Sequence, residues 1–282
     1  MTPDSTKSAP FESSDIALTI DGVALKVSAI HRHGERPPVV MLHGFGSTKE
    51  DYADIVHHRS FDDRPFLAYD APGCGRSDCT DPSKVSIPFL VQTALAMLDR
   101  ASFERFHLVG HSMGGLTSLM LAHACPERVL SFANIEGNVA PEDCFLSRQI
   151  VDYPHDDPEQ FFKAFVERAH RAPAYASALY AASLPYKVRA KAVGGIFRSM
   201  VELSDNGALM DKFLSLPCPK MFMYGSQNAS LSYLPHIERQ GVVLAEIPEC
   251  GHFPMYSNPV HMWRALDRFQ TSAEALRVPR QG

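Results

Sequence analysis

The sequence predicts an α/β protein built on a mostly parallel sheet. Short runs of apolar residues recur along the chain, and stretches with helical character separate them. The runs are continuously apolar rather than alternating, which is typical of strands buried on both faces. The alternation of strand and helix indicates right-handed βαβ units. The runs are PVVMLHG (38–44), FLAYDAPG (66–73), FHLVGHS (106–112), VLSFANIEGN (129–138), KMFMYGS (220–226) and VVLAEIPE (242–249).

A hairpin is expected before the first of these runs, and two clear helices further along. Residues 16–30 alternate between apolar and polar around Asp21-Gly22, and a glycine at that place is typical of a tight turn. From Ile87 to Leu98, just after a serine and around an early proline, apolar residues recur at helical spacing. Near the C-terminus a second helical face is formed by Val260, Trp263, Leu266 and Phe269.

One long stretch contains no convincing strand. From about 140 to 215, aromatic residues and alanines recur, which favours helices. We expect a helical insertion packed over one end of the sheet. The predicted division is a core of residues 1–139 and 212–282 with a helical cap, or lid, of residues 140–211.

Composition and charge narrow the classes of function. The 282 residues are 45% hydrophobic and 21% charged, which is ordinary for a globular protein with a sizeable core. The net charge of −5 does not favour binding to nucleic acid or to an anionic membrane. The N-terminus is polar, unlike a signal peptide, and no apolar run is long enough to span a membrane. We expect a cytoplasmic protein without a nucleic-acid or membrane partner, and a homo-oligomer is left open.

No metal or cofactor site is predicted. The six cysteines form no C-x-x-C pair and show no metal-ligand spacing, so reduced thiols are expected. Two histidine pairs, His31/His33 and His57/His58, are close in sequence. Neither has a carboxylate at the spacing of a helical ligand motif such as H-E-x-x-H.

The strongest local motif is LVGHSMGGL, in which residues 110–114 fit G-x-S-x-G between a strand and a helix. In this motif the serine, here Ser112, lies on a strained turn that projects its hydroxyl from the sheet edge. The flanking glycines keep Cβ atoms out of the crowded bend. The motif therefore predicts a nucleophilic serine.

Two further motifs follow other predicted strands. LHGFG (42–46) ends the first parallel strand with two glycines, which leaves a backbone N–H able to face an oxyanion. CGHFPMYSNP (250–259) follows the last strand and contains His252 shortly before the final helix. The order HG, GxSxG and GH, at the ends of three different strands, predicts a single site.

With these motifs the chain resembles the α/β-hydrolase superfamily, from about Ile16 to Phe269. DAPGCGRSD (70–78) also resembles the family's D-x-P-G-x-G-x-S turn. The resemblance implies an eight-stranded, mostly parallel sheet with a helical cap inserted after the sixth strand. It also implies that Asp70 braces its own turn.

The resemblance also implies roles for individual residues. Ser112 would be the nucleophile and His252 the general base, and the backbone N–H groups of Phe45 and Met113 would form the oxyanion hole. The residues that we expect in the substrate pocket are His43, His111, Phe145 and Phe253.

The acid of the triad is missing from its usual place in the family. Many members carry it after the seventh strand, three residues after a glycine, and here Gly225 leads to Asn228. An amide is a poor substitute, because Asp to Asn lowers kcat by ~10⁴ in the Ser-His-Asp template. Glu136 ends the strand that follows the nucleophile, and a position there resembles that of the acid in some haloalkane dehalogenases.

We therefore predict that Glu136 is the acid and accepts a hydrogen bond from His252 Nδ1. A turn-capping or arginine-pairing role for Glu136 remains an alternative. The weaker candidates for the acid are Asp205, Asp211 and Glu249.

The sequence favours a serine hydrolase that cleaves a small to medium, partly apolar ester through an acyl-enzyme. The alternatives within the superfamily are hydrolysis of a carbon–carbon bond, hydrolysis of a thioester, and perhydrolysis. A different class is a ligand-binding member without catalysis, in which Asn228 would mark degeneration of the triad.

Overall fold

A computed structural model describes residues 10–154 and 156–276 of the chain. Nine strands in these ranges form one sheet. They are β1 (Glu12–Ile20), β2 (Val23–Arg32), β3 (Val39–Leu42), β4 (Phe66–Tyr69), β5 (Asp78–Cys79), β6 (Phe106–His111), β7 (Val129–Ile135), β8 (Lys220–Gly225) and β9 (Val243–Ile247).

The predicted mostly parallel sheet is confirmed. Eight strands follow the order β1-β2-β4-β3-β6-β7-β8-β9, and the pairs from β4 to β9 along this order are parallel. Strand β2 is antiparallel to both β1 and β4. The short strand β5 pairs with β2 and was not expected, because two residues are too few to carry a sequence pattern.

The hairpin between β1 and β2 turns at the expected dipeptide. Ile20 pairs directly with Val23, which leaves a two-residue turn. Asp21 and Gly22 both have positive φ angles, 47° and 77°. Two positive φ angles match the right-handed twist of the strands that the turn joins.

The helices outside the insertion include those that the sequence predicts. Ser86 caps the first helix by accepting a hydrogen bond from the backbone N–H of Phe89. Asn258 caps the last helix by accepting from the backbone N–H of His261. The helices outside the insertion are α1 (Ile87–Arg100), α2 (Met113–Ala124), α7 (Leu234–Arg239), α8 (Pro254–Ser257) and α9 (Pro259–Ala275).

The described residues between β7 and β8 are largely helical, and Val188 makes a single antiparallel bridge to Cys74. The predicted boundary after residue 211 falls inside a helix whose Phe213 packs against Phe132 of β7. Division of the chain into core and cap stays a prediction. The helices here are α3 (Pro158–Arg171), α4 (Ser177–Lys187), α5 (Ala190–Asn206) and α6 (Leu209–Ser215).

The sheet brings several loops to one edge. In the parallel register Leu42 lies beside Gly110, His111 beside Ile135, and Ile135 beside Met223. The residues that follow β3, β6, β7 and β8 therefore meet where these strands end. Among the described helices none combines the length and the apolar character needed to cross a membrane.

Candidate active site

Ser112 occupies a sharp turn between β6 and α2. Its φ of 50° and ψ of −118° are unusual for a residue with a side chain, and such strain is typical of functional sites. A Cβ at Gly110 would lie 2.4 Å from the carbonyl oxygen of Gly114, and one at Gly114 would lie 2.2 Å from that of Leu42. The two glycines of the motif are thus required by close backbone approach.

His252 lies in the loop between β9 and α8 and contacts a carboxylate. Its Nδ1 donates a hydrogen bond to Glu136 Oε2 at 2.7 Å, so the contact expected from the sequence is present. Its carbonyl oxygen accepts a hydrogen bond of 2.7 Å from His111 Nε2. Both the ring and the backbone of His252 are therefore held in place.

Glu136 follows β7 directly and has a φ of 46°. Its backbone N–H donates to Met223 O at 3.0 Å, which ties the turn to β8. Its Oε1 accepts from the N–H of Gly225 at 2.8 Å, and both carboxylate oxygens lie within hydrogen-bond distance of Asn228 Nδ2. Together with His252, these donors surround a carboxylate that is only 9% exposed.

The other carboxylates considered for the acid do not replace Glu136. Asp205 pairs with Arg148 at 2.6 Å, in the insertion. Within the described chain Glu136 is the one carboxylate that forms a hydrogen bond or an ion pair with His252. Asp70, by contrast, accepts from the N–H groups of Lys49 and Arg76, as expected for a residue that braces its turn.

The N–H groups expected in the oxyanion hole lie next to Ser112 in the fold. Met113 begins α2, and its N–H is one of the first donors of the helix, which have no partner inside it. A Cβ at Gly44 would lie 3.1 Å from Ser112 Cβ, which places the HGFG turn against the serine. In the described ranges neither the Phe45 nor the Met113 N–H donates to a protein acceptor. That these two N–H groups donate to an oxyanion stays a prediction.

A narrow cavity contains both Ser112 and His252, although no hydrogen bond joins their side chains within the described residues. Contacts of this kind are often long until substrate binds. Phe145, which is 58% exposed, lies at the cavity with its ring 5.7 Å from that of His252. The lining residues are Phe45, Ser112, Asp143, Phe145, Leu146, Ser147, Tyr180, Phe197, Met200, His252 and Phe253.

Two of the four residues expected in the pocket lie elsewhere. His43 Nδ1 donates to Gly44 O at 2.8 Å, and its Nε2 accepts from the N–H of Ala71 at 2.9 Å, so it fixes the backbone beneath the site. His111 is fully buried behind His252. Burial, reinforced by the nearby His252, holds the pKa of His111 well below its usual value, so its ring stays neutral.

Two polar residues of the cavity wall were missed at the sequence level. Asp143 Oδ2 accepts from the N–H groups of Val139 and Ala140 at 2.8 Å, and Oδ1 accepts from Tyr233. Burial raises the pKa of Asp143 to about 6. Ser147 is 1% exposed, and its Oγ has no hydrogen-bond partner among the described residues. No local motif marks either position.

A larger groove lies between β9 and α9 and contains neither Ser112 nor His252. It is lined by residues such as Val243, Arg264 and Phe269. The candidate active site is therefore the narrower cavity.

Comparison with known proteins identifies the family of the chain. A model described as the alpha/beta hydrolase family matches residues 39–265. A pimeloyl-[acyl-carrier protein] methyl ester esterase of Aeromonas hydrophila is 34% identical over 120 residues, which is 43% of this chain and 44% of that protein. The alignment thus spans less than half the length of that relative.

Solved structures show the same fold. A carboxylesterase structure from the thaumarchaeon Nitrososphaera gargenis has a TM-score of 0.72 at 16% identity and covers 92% of this chain and 99% of its own. An N-acyl homoserine lactonase, AidH, has a TM-score of 0.71 at 16% identity, with 96% and 100% covered. At such low identity these likenesses establish the fold alone.

Proposed function

The chain belongs to the alpha/beta hydrolase family, and from that premise we propose that it is a serine hydrolase that cleaves a small to medium, partly apolar ester. The observation that carries the proposal is the 2.7 Å contact between His252 Nδ1 and Glu136 Oε2, beside a cavity that also holds Ser112. A nucleophile, a base and an oriented acid are the three parts of the Ser-His-acid mechanism.

The first half of the reaction forms an acyl-enzyme. With Nδ1–H donated to Glu136, the other ring nitrogen of His252 is the free base and takes the proton of Ser112 Oγ. The oxygen attacks the ester carbonyl carbon, and the N–H groups of Phe45 and Met113 stabilise the tetrahedral oxyanion. His252 then gives the proton to the alkoxide, and the alcohol leaves.

The second half releases the acid. His252 removes a proton from a water molecule, the resulting hydroxide attacks the acyl carbon, and Ser112 Oγ leaves and takes the proton back. Glu136 stabilises the imidazolium that forms in both halves. Its contacts with Gly225 and Asn228 fix its carboxylate during the cycle, so it need not reorganise.

The lining of the cavity suits the apolar part of an ester. Most of the wall is aromatic or aliphatic, and Phe45, Phe197 and Met200 are among its lining residues. The name of the relative that is 34% identical over 120 residues, a methyl ester esterase, supports cleavage of an ester over a thioester or a carbon–carbon bond. The identity of the substrate, the cytoplasmic location and the oligomeric state stay predictions.

A fluorophosphonate probe separates an enzyme from a ligand-binding protein. We expect the probe to label the wild-type chain and to leave Ser112→Ala unlabelled, with both proteins folded by circular dichroism. Absence of labelling in folded wild-type protein would overturn the proposal. To identify the type of bond that is cleaved, p-nitrophenyl esters of increasing chain length are assayed beside a thioester and a vinylogous diketone. We expect the esters to react fastest.

A further inference from the structure

Three side chains with metal-binding atoms converge on the outer hairpin of the sheet. Glu12 is the first residue of β1 and pairs directly with His31 of β2. His33 follows two residues later, just beyond the end of β2. One oxygen or nitrogen atom from each of these residues lies within 4.8 Å of the others. The imidazole rings of His31 and His33 are 5.1 Å apart.

The pairing of the strands explains why these residues meet. Residues directly opposite each other in an antiparallel pair share a face of the sheet, as do residues two apart along a strand. Glu12 and His31 therefore project together, and His33 continues on the same side. The cluster is thus produced by the hairpin register rather than by the flexibility of one loop.

We propose that Glu12, His31 and His33 form a binding site for a divalent transition-metal ion of the Zn²⁺ type. Two imidazoles and one carboxylate are a known zinc ligand set with room for a water molecule in the fourth position. Tetrahedral bonds of about 2.0–2.2 Å place the ligand atoms about 3.4 Å apart. Glu12 and His33 are exposed and can turn by the small amount that this requires.

The state of His31 favours metal binding. Its Nδ1 is buried and has no hydrogen-bond partner among the described residues, so this nitrogen is not engaged in another hydrogen bond there.

The site is separate from the proposed acyl transfer. His31 pairs with Leu67 near the start of β4, whereas Ser112 follows the end of β6. Since β4 and β6 run in the same direction, the cluster lies at the opposite edge of the sheet from Ser112. A bound ion would join β1 to β2 and stabilise the hairpin, and ester hydrolysis would not need it.

The test is a titration of the full chain, free of any affinity tag and dialysed against a chelator that is then removed. Zn²⁺ binding is measured by calorimetry, and Co²⁺ binding by its visible absorption. We expect one equivalent to bind and the Tm to rise with metal concentration, because the ion binds only the folded chain. The decisive measurement uses equimolar metal and protein at tens of micromolar. If no saturable binding is seen there, the proposal is overturned.

Variants assign the binding to these residues. His33→Ala and Glu12→Gln change exposed side chains, and each is expected to weaken metal binding at least tenfold without loss of fold. The matched control is His57→Ala, an exposed histidine outside the cluster, which should leave the affinity unchanged. Equal affinity in wild type, His33→Ala and Glu12→Gln would place the ion elsewhere and refute the site.

Discussion

Asn228 Nδ2 lies 2.9 and 2.8 Å from the two carboxylate oxygens of Glu136. The residue at the position where many family members carry the acid is therefore a donor to the carboxylate that contacts His252. The same carboxylate contacts His252 Nδ1 at 2.7 Å, and among the described residues no hydrogen bond joins the Asn228 side chain directly to His252, so Asn228 acts on the histidine through Glu136. This makes Asn228 a positioning residue within the proposed mechanism.

The first prediction distinguishes Glu136 from Asn228 by how much kcat falls when each residue is replaced. Glu136→Gln is expected to lower kcat by ~10³–10⁴, as loss of the acid does in the Ser-His-Asp template. Asn228→Ala is expected to lower it roughly tenfold, since one hydrogen bond to a charged group contributes about 1.5 kcal/mol. Both are measured on one p-nitrophenyl ester. Equal losses, or a larger loss in Asn228→Ala, would contradict the assignment of the acid.

The second prediction concerns His111, whose buried ring contacts the backbone of His252. His111 Nε2 donates to the backbone of His252, so His111→Phe is expected to lower kcat about tenfold while KM changes little. His111→Gln carries an N–H at a similar place and should restore most of the rate. Steady-state kinetics of both variants check this. A comparable loss of kcat in the two variants would mean that His111 acts by packing alone.

A third prediction follows from the unpartnered hydroxyl of Ser147 in the cavity wall. Because that Oγ has no partner among the described residues, Ser147→Ala should leave the free energy of unfolding unchanged or slightly raised. If the hydroxyl binds substrate, KM should rise roughly tenfold for acyl chains that end in a hydroxyl and stay constant for plain alkyl chains. The comparison uses paired p-nitrophenyl esters of equal length. A uniform change in KM for both series would argue against specific recognition.

The fourth prediction is a pH dependence of stability. Burial raises the pKa of Asp143 from 3.8 to about 6, so the folded state binds the proton more tightly than the unfolded state. The contribution of this group is complete below pH 3.8 and is lost as pH rises through about 6. The wild type should therefore lose about 1–3 kcal/mol relative to Asp143→Asn over this interval.

Urea unfolding of both proteins between pH 4 and pH 7 measures the effect. Asparagine can accept from the N–H groups of Val139 and Ala140 with its oxygen and donate to Tyr233, so the variant keeps the local contacts. A difference in unfolding free energy that stays constant with pH would show that Asp143 titrates near its ordinary value.

Features that depend on neighbouring residues were predictable from the sequence. The two-residue turn at Asp21-Gly22, the cap of α1 at Ser86 and the strained turn at Ser112 each depend on a few adjacent side chains and backbone angles. The alternation of strands and helices was equally predictable from short stretches of sequence, because each element has its own hydrophobic pattern. From these the parallel sheet and the position of the candidate nucleophile followed.

Relations between distant residues were predictable only in part. Glu136 was inferred from its place at a strand end, and the contact with His252 is present. The role of Asn228 as its donor, and the burial of His43 and His111 outside the cavity, depend on side-chain directions that no linear pattern records.

His31 and His33 show most clearly what the sequence alone does not predict. Read along the chain, His31 and His33 have no carboxylate at helical spacing, and so they predicted no metal site. In the sheet, Glu12 lies directly opposite His31 because the antiparallel register places residues 19 positions apart side by side. The sequence by itself determined most of the strands, the hairpin turn and the loop of the candidate nucleophile, because those preferences are local. Only the tertiary structure decided which side chains meet, because strand pairing and burial join residues that the chain keeps far apart.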